Sequence, residues 1–377
     1  MSTPCNVGLA AREADLSRAV AEEQPTPMTS GGVLVATRRV LVAFAVLTLL
    51  ATNQLLVVGG FTDRYFAWTI SVRPTSAFLG AAYAAGFLLA VFALRRDRWR
   101  DVRVALATVT VFTVLTLVPT LIHLHTFHLM DGGPLARLAA WVWLTIYLVI
   151  PIACLAVVGQ QQRLPAGDDN VRRSMPRWLT SLLAIQGGTL FLVGAVMFLV
   201  GAKVHHLPEG AMGFWPWRLT PLGAQVMGAW LIALAVAAAL AIWERDLSRL
   251  LVPAATCTAF GVFQLLVALR FWMQVRPDYQ WGWAYVGMLV SIAVTGAYGC
   301  WVATPKLGRS RGPPPSRTKL HLWRVCAAYV TALRAKSRHC GVSPRTGPRS
   351  PLERPDRGQR EGHCYGGGTD GQDAPTT

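Results

Sequence analysis

Charged residues are scarce in this chain and make up 15% of its 377 residues, against about a quarter of an ordinary soluble domain. No Asp, Glu, Lys, Arg or His lies near the middle of any long apolar run. Carriers that are driven by ions or protons usually need an ionisable group at that depth, and a b-type haem needs axial histidines inside the bundle. Both classes of protein are therefore disfavoured.

Sequence motifs of common enzyme classes are absent as well. There is no Walker loop, no dinucleotide-binding fingerprint, no His-Glu-x-x-His and no Gly-x-Ser-x-Gly. The seven cysteines lie in apolar runs or in the terminal tails, without the spacing of a disulfide framework. No cleavable signal peptide is visible, so the first apolar run is expected to insert as a signal anchor.

Hydrophobic residues, in contrast, make up 53% of the chain and form solid runs. A run of about 20 residues crosses a hydrocarbon core of about 30 Å as a helix. Inside lipid the backbone must be paired within the protein, and these runs lack the alternation of barrel strands. The sequence predicts an all-α polytopic membrane protein with eight spans. The spans are Val40–Gly60, Ser76–Leu94, Val104–Ile122, Leu138–Val158, Leu179–Gly201, Gly223–Trp243, Leu250–Phe271 and Trp283–Val302.

The two halves of the chain resemble each other. Several aromatic, proline and charged positions recur at a constant offset of 147 residues or close to it. The matches are Trp68/Trp217, Pro74/Pro221, Ala77/Ala224, Ala82/Ala229, Tyr83/Trp230, Asp97/Glu244, Arg98/Arg245 and His123/Arg270, with Trp141 and Trp143 answering to Trp281 and Trp283. Because each unit has four helices, both enter the membrane from the same side. The eight helices are therefore predicted to form two parallel four-helix repeats.

These matches divide the chain into five segments, which are a tail (1–37), a first repeat (38–160), a linker (161–177), a second repeat (178–303) and a basic tail (304–377). Loops on the side of the termini carry thirteen arginines, against seven basic residues on the other side. Basic loops stay in the cytoplasm. We therefore expect a multi-pass protein of the cytoplasmic membrane with both termini inside. Topology accounts for much of the +17 net charge, so nucleic-acid binding is not expected.

The predicted outer side carries His123, His125, His128, His205 and His206, and one carboxylate in each loop, starting with Asp63. Imidazole and carboxylate together suit a divalent transition metal, which makes these histidines metal-site candidates. Extracellular pH sensing and simple surface polarity are the alternatives.

Uncharged polar residues within the spans are the candidates for a ligand pathway. They are Gln54, Gln186, Gln264 and Thr116. Such groups also bond between helices as packing contacts. In the basic tail, Leu320, Trp323, Ala327, Val330 and Leu333 fall on one helical face, which predicts a short amphipathic helix on anionic lipid, with an unstructured tail as the alternative.

Three functions remain open from the sequence. The first is binding or passage of a small or lipid-like molecule between the two repeats. The second is an enzyme of the outer leaflet that acts on a lipid-linked substrate near Asp63 and the outer histidines. The third is a membrane scaffold without a ligand.

Overall fold

The computed structural model describes residues 32–163, 174–203, 212–275 and 280–304. These residues contain eight helices that are long and apolar enough to cross a membrane, and no β-strand. The chain is a multi-pass integral membrane protein, and the predicted number of spans is confirmed. In chain order the helices are α1 (Val35–Val57), α2 (Arg73–Leu94), α3 (Trp99–Ile122), α4 (Pro134–Gln162), α5 (Arg177–Lys203), α6 (Pro221–Glu244), α7 (Leu251–Arg270) and α8 (Gln280–Ala303).

Helix ends differ from the predicted span ends because hydropathy marks the hydrocarbon layer and not the helix. The fourth span was predicted as Leu138–Val158, whereas α4 runs from Pro134 to Gln162. A proline in the first turn starts α2, α4 and α6, since its missing N–H has no partner there in any case. α1 ends in a π-helical turn, Asn53–Val57.

The third span, which contains Pro119 and five threonines, is a continuous helix. Pro119 lies in the last turn, so it removes only one hydrogen bond near the helix end. Four of the five threonine hydroxyls bond back to the helix itself, as in Thr108 to the Val104 carbonyl at 2.8 Å and Thr120 to the Thr116 carbonyl at 2.8 Å. The buried Thr116 hydroxyl has no hydrogen-bond partner among the described residues. A threonine-rich helix therefore satisfies most of its own polar groups inside an apolar bundle.

The helices pack as two rows of four. One row runs α1, α2, α7, α8, and the other runs α4, α3, α6, α5. Each row takes two helices from each half of the chain, because α2 packs along α7 and α3 packs along α6. The two halves are thus interlocked in one compact unit.

Burial follows this arrangement. In α2, 83% of the apolar stretch is buried, against 28% in α4 and in α5. The outer helices instead present large apolar side chains to the surroundings, such as Ile152 at 65% exposure and Val294 at 62%. An aqueous protein rarely exposes a continuous apolar surface of this extent, so these faces are the lipid-facing ones.

The two ends of the bundle differ in chemistry. The "histidine end" is where α3 ends and α4 begins, and the "arginine end" is where α2 ends and α3 begins. At the arginine end Arg103 of α3 pairs with Glu244 of α6 at 2.6 Å, and Arg249 pairs with Asp246 at 3.1 Å. Both carboxylates are 2% exposed. Since a buried charge is costly without its partner, this network holds the two halves together.

Small residues let α5 and α6 approach closely. A Cβ on Gly194 would lie 2.9 Å from the Gly228 carbonyl oxygen, and a Cβ on Gly228 would lie 2.6 Å from the Gly194 carbonyl oxygen. Glycines that face each other in this way are a common means of helix association in membranes, where van der Waals contact replaces the hydrophobic effect.

Some predictions fall on residues outside the described ranges. They concern the N-terminal tail up to residue 31, the amphipathic helix of the basic tail with its lipid contact, and His205 and His206. These stay predictions.

We expect Gly194→Leu to destabilise the bundle by roughly 1–3 kcal/mol, because overpacking forces α5 and α6 apart. Gly188→Leu is the matched control, since a Cβ on Gly188 meets nothing within 4 Å. Thermal unfolding of the purified protein in detergent, followed by tryptophan fluorescence, measures both. Equal melting temperatures for the two variants would contradict the role of the glycine contact.

Candidate functional site

A cavity of about 90 Å³ lies among the helices of the first half, mainly between α1 and α4. We name it the α1/α4 crevice. Apolar side chains make up most of its wall, and Thr48, Gln54, Tyr83, Thr113 and Tyr147 are the polar residues that reach it. No charged residue and no histidine lines it. The crevice is thus an apolar space with a few uncharged hydrogen-bonding groups.

At the arginine end, α1 and α4 are joined by one side chain, Gln161 of α4. Its carbonyl oxygen accepts hydrogen bonds from the backbone N–H of Leu34 at 3.0 Å and from the Thr37 hydroxyl at 3.2 Å, and its amide donates to the Gly32 carbonyl at 2.9 Å. Nearer the histidine end the crevice separates the two helices. Leu50 of α1 and Val142 of α4 flank the opening at 55% and 43% exposure. The crevice therefore opens sideways, toward lipid.

The water-facing end of the crevice is closed by aromatic rings. Phe66 and Trp68 precede α2, Phe127 follows α3 and Trp143 belongs to α4, and together we name them the aromatic cap. The Trp68 and Trp143 rings lie 4.9 Å apart, and the Trp68 and Phe127 rings 5.3 Å apart. The His128 N–H donates to the Ala67 carbonyl at 3.0 Å, which joins the two loops beneath the cap. All four rings are buried, and Phe66 and Trp143 line the crevice, so the cap shields this end of it.

The floor of the crevice holds a pair of tyrosines. The hydroxyls of Tyr83 in α2 and Tyr147 in α4 are 2.7 Å apart and buried. Trp143 packs against Tyr147 with ring centroids 4.5 Å apart, which fixes the Tyr147 ring. Thr113 of α3 completes the floor and donates its own proton to the Thr110 carbonyl at 3.1 Å.

A second cavity, of about 60 Å³, lies in the second half among α5, α6, α7 and α8. Gln186 of α5 lines it and donates to the hydroxyls of Ser291 at 2.6 Å and Thr295 at 2.9 Å, both in α8. Its lining residues on α5 come from the first half of that helix, whereas those of the α1/α4 crevice come from the second half of α1. The second cavity therefore lies nearer the arginine end.

The four pathway candidates have different surroundings. Gln54 lies in the π-helical turn of α1 and lines the α1/α4 crevice, and Gln186 lines the second cavity. Gln264 is fully buried and donates to the Phe78 carbonyl at 3.0 Å, so it joins α7 to α2. Thr116 is also fully buried, and neither it nor Gln264 lines either cavity. The structure therefore brings two of the four to a cavity.

The described histidines do not converge. His123 is buried and its Nε2 donates to Gln225 Oε1 at 2.7 Å, while Gln225 donates to the Phe198 carbonyl at 3.2 Å. His128 bonds to the Thr69 hydroxyl at 3.1 Å, and His125 is exposed. Within the described ranges, no three His, Cys, Asp or Glu side chains group as a metal site would require. A metal site with His205 and His206 stays a prediction.

The outer-leaflet enzyme hypothesis places Asp63 and the outer histidines near a lipid-linked substrate. Asp63 lies in a short helix, Thr62–Tyr65, with its side chain 56% exposed and 3.7 Å from Arg64. It lines neither cavity. Neither described cavity therefore brings Asp63 next to an enclosed space, and the outer-leaflet enzyme stays a prediction.

Sequence reasoning missed Tyr147 altogether and noted Tyr83 only as a repeat match. A signal was present, since a tyrosine inside an apolar span must find a partner for its hydroxyl. Two such tyrosines lie 64 positions apart, in the second and fourth spans. Their meeting, however, depends on how α2 and α4 pack.

We expect His123→Leu to lower stability by about 1–3 kcal/mol, because Gln225 then loses a buried hydrogen-bond partner. His125→Leu, at an exposed position of the same loop, is the control and should melt as the parent does. Melting temperatures measured in one detergent check both. If the two variants lose the same stability, the bond to Gln225 has no structural weight.

No protein-family model matches this chain, and neither curated proteins nor solved structures give a significant match.

Proposed function

We propose that this protein binds a lipid-like molecule in the α1/α4 crevice. The observation that carries the proposal is the shape of the crevice, which the aromatic cap closes toward water and which opens sideways between two lipid-facing helices. Apolar pockets with a few convergent polar groups are the usual form of small-molecule sites. The sequence predicted a site between the two repeats, whereas the proposed site lies within the first repeat.

The proposal includes two parallel repeats, α1–α4 and α5–α8, related by a pseudo-two-fold axis along the membrane normal. Helix neighbours support it. A two-fold axis would place each helix of the first half on the helix four places later in the chain, and each helix of the second half on the one four places earlier. This operation places the α2–α7 contact on the α6–α3 contact, and both contacts are present. The same operation maps the smaller α2–α6 contact onto itself, and likewise the smaller α3–α7 contact. Such contacts are expected between helices that lie beside a two-fold axis.

Burial supports the same relation. Tyr147 and Cys154 are buried in α4, and the residues 142 positions further on, Leu289 and Gly296, are buried in α8. For α2 and α6 the offset of 147 places Tyr83 and Trp230 together, with their rings 5.4 Å apart. Residues that contact their own counterparts are those nearest a two-fold axis.

Two sequence matches change in this relation, since Trp68, paired with Trp217 in the sequence, here corresponds to Trp215. Trp143 was paired with Trp283, but Trp143 is buried and Trp283 is 60% exposed. A shift of two positions pairs Trp143 with Tyr285. Trp143 packs against Trp68 at 4.9 Å and Tyr285 against Trp215 at 5.4 Å, and Trp68 and Trp215 are themselves 147 positions apart.

The proposed orientation places both termini in the cytoplasm, since the arginine-rich loops lie at the end where α1 begins and α8 ends. A fluorescent protein that folds only in the cytoplasm is fused either to the N-terminus or to the C-terminus of this chain. Both fusions should fluoresce. A secreted phosphatase inserted at Gly133, between α3 and α4, should be active. Dark fusions at both termini together with an inactive phosphatase would overturn the orientation. Because an even number of spans places both termini on the same side, one fluorescent and one dark fusion would overturn the eight spans.

Filling the crevice tests the function itself. Ile146 of α4 lines it, whereas Val149 of the same helix faces outward at 53% exposure. We expect Ile146→Trp to lower tightly bound lipid about tenfold, which corresponds to 1.4 kcal/mol, because the indole occupies the ligand space. Val149→Trp should leave it unchanged.

Native mass spectrometry of the full chain released from detergent counts the lipid that stays bound. If the parent carries no specific lipid, or if both tryptophan variants retain it equally, the crevice is not the binding site.

A further inference from the structure

We infer that the ligand of the α1/α4 crevice is an uncharged lipid whose polar end is a hydroxyl or carbonyl group, held by the Tyr83–Tyr147 pair. This inference rests on the proposed function and names the chemical class of its ligand. Three properties of the crevice lead to it, which are its hydrogen-bonding capacity, its lack of charge and its depth.

The tyrosine pair has hydrogen-bonding capacity to spare. One hydroxyl donates to the other across 2.7 Å, which uses one of the two protons. Neither hydroxyl makes another hydrogen bond within the described residues. The pair therefore offers a ligand one O–H proton together with oxygen lone pairs. A carbonyl oxygen accepts that proton, and a ligand hydroxyl either accepts it or donates in return.

The lack of charge excludes an anionic headgroup. All residues that line the crevice are uncharged. A phosphate or carboxylate that entered would leave water without a cation to pair with, which is strongly unfavourable. A single hydrogen bond from the tyrosine pair does not offset that cost. Neutral polar ends carry no such penalty.

The depth of the pair favours the same class. Tyr83 is near the middle of the 22-residue α2, and Tyr147 is near the middle of the 29-residue α4. About ten residues separate Tyr83 from either end of its helix, or roughly 15 Å at 1.5 Å per residue. A phospholipid headgroup stays at the interface, whereas a lipid with a small neutral polar end reaches this depth. Its chains then leave through the opening between Leu50 and Val142.

Photolabelling distinguishes the ligand classes. The probes are a diacylglycerol with a diazirine on one acyl chain, and the phosphatidic acid that has the same two chains. Each is added to the full-length protein in nanodiscs of phosphatidylcholine. We expect the diacylglycerol to label peptides of α1 and α4 and the phosphatidic acid to label them at least about fivefold less, as a difference of about 1 kcal/mol requires.

The variant for the tyrosine pair is Tyr83→Phe with Tyr147→Phe. Removing both hydroxyls leaves no unpaired partner, so the fold should persist. Diacylglycerol labelling of α1 and α4 should fall about fivefold, for the loss of about 1 kcal/mol of hydrogen bonding. Tyr65→Phe, a partly exposed tyrosine outside the crevice, is the control and should label as the parent does.

The outcomes separate the two proposals. Equal or stronger labelling by phosphatidic acid, or unchanged labelling of the double variant, would overturn the neutral-lipid inference while a lipid site in the crevice stands. If Ile146→Trp leaves the labelling of both probes unchanged, or if neither probe labels α1 and α4, the proposed function fails as well.

Discussion

Inside a hydrocarbon layer no water is present to hydrogen-bond a backbone or a side chain, and the rest of this structure depends on that constraint. It makes every span a helix, and it favours a hydrogen-bond partner within the protein for each polar side chain in the spans. Threonine hydroxyls mostly bond back to their own helix, whereas other polar side chains bond from one helix to another. The Tyr83–Tyr147 pair, the bonds from Gln186 to α8 and the bond from Gln264 to α2 are all of this kind. Polar residues in the spans therefore link several of the helices that pack together.

The same constraint explains why a crevice forms where it does. α2 is almost entirely buried, whereas α1 and α4 lie at the edge and face lipid on one side. Gln161 joins these two edge helices at the arginine end, and the aromatic cap covers them at the histidine end. Between these two closures, apolar side chains of α1 and α4 and the tyrosine floor line the crevice. Its exposed flank lies between two helices that face lipid.

The two proposed repeats show how one topology acquires two local chemistries. In the second half glycines let α5 pack closely against α6, and hydrogen bonds from Gln186 join α5 to α8. In the first half Trp143 packs against Tyr83 of α2, and Tyr147 packs against Phe112 of α3. The cavity of the second half is correspondingly smaller and nearer the arginine end. Duplication of a scaffold followed by divergence of side chains would leave one half to bind and the other mainly to support it.

The amino-acid sequence by itself determined the eight helices, since runs of about 20 apolar residues have one stable form in lipid. It also determined the difference between the two ends, because arginines and histidines are countable in loops. Only the tertiary structure decided that Tyr83 and Tyr147 meet, that His123 bonds to Gln225, and that the two described cavities lie within the halves. The physical reason is that lipid-facing and protein-facing sides of these helices are equally apolar. Hydropathy therefore carries no signal of which face packs on which helix, and the packing of small and large side chains makes that choice.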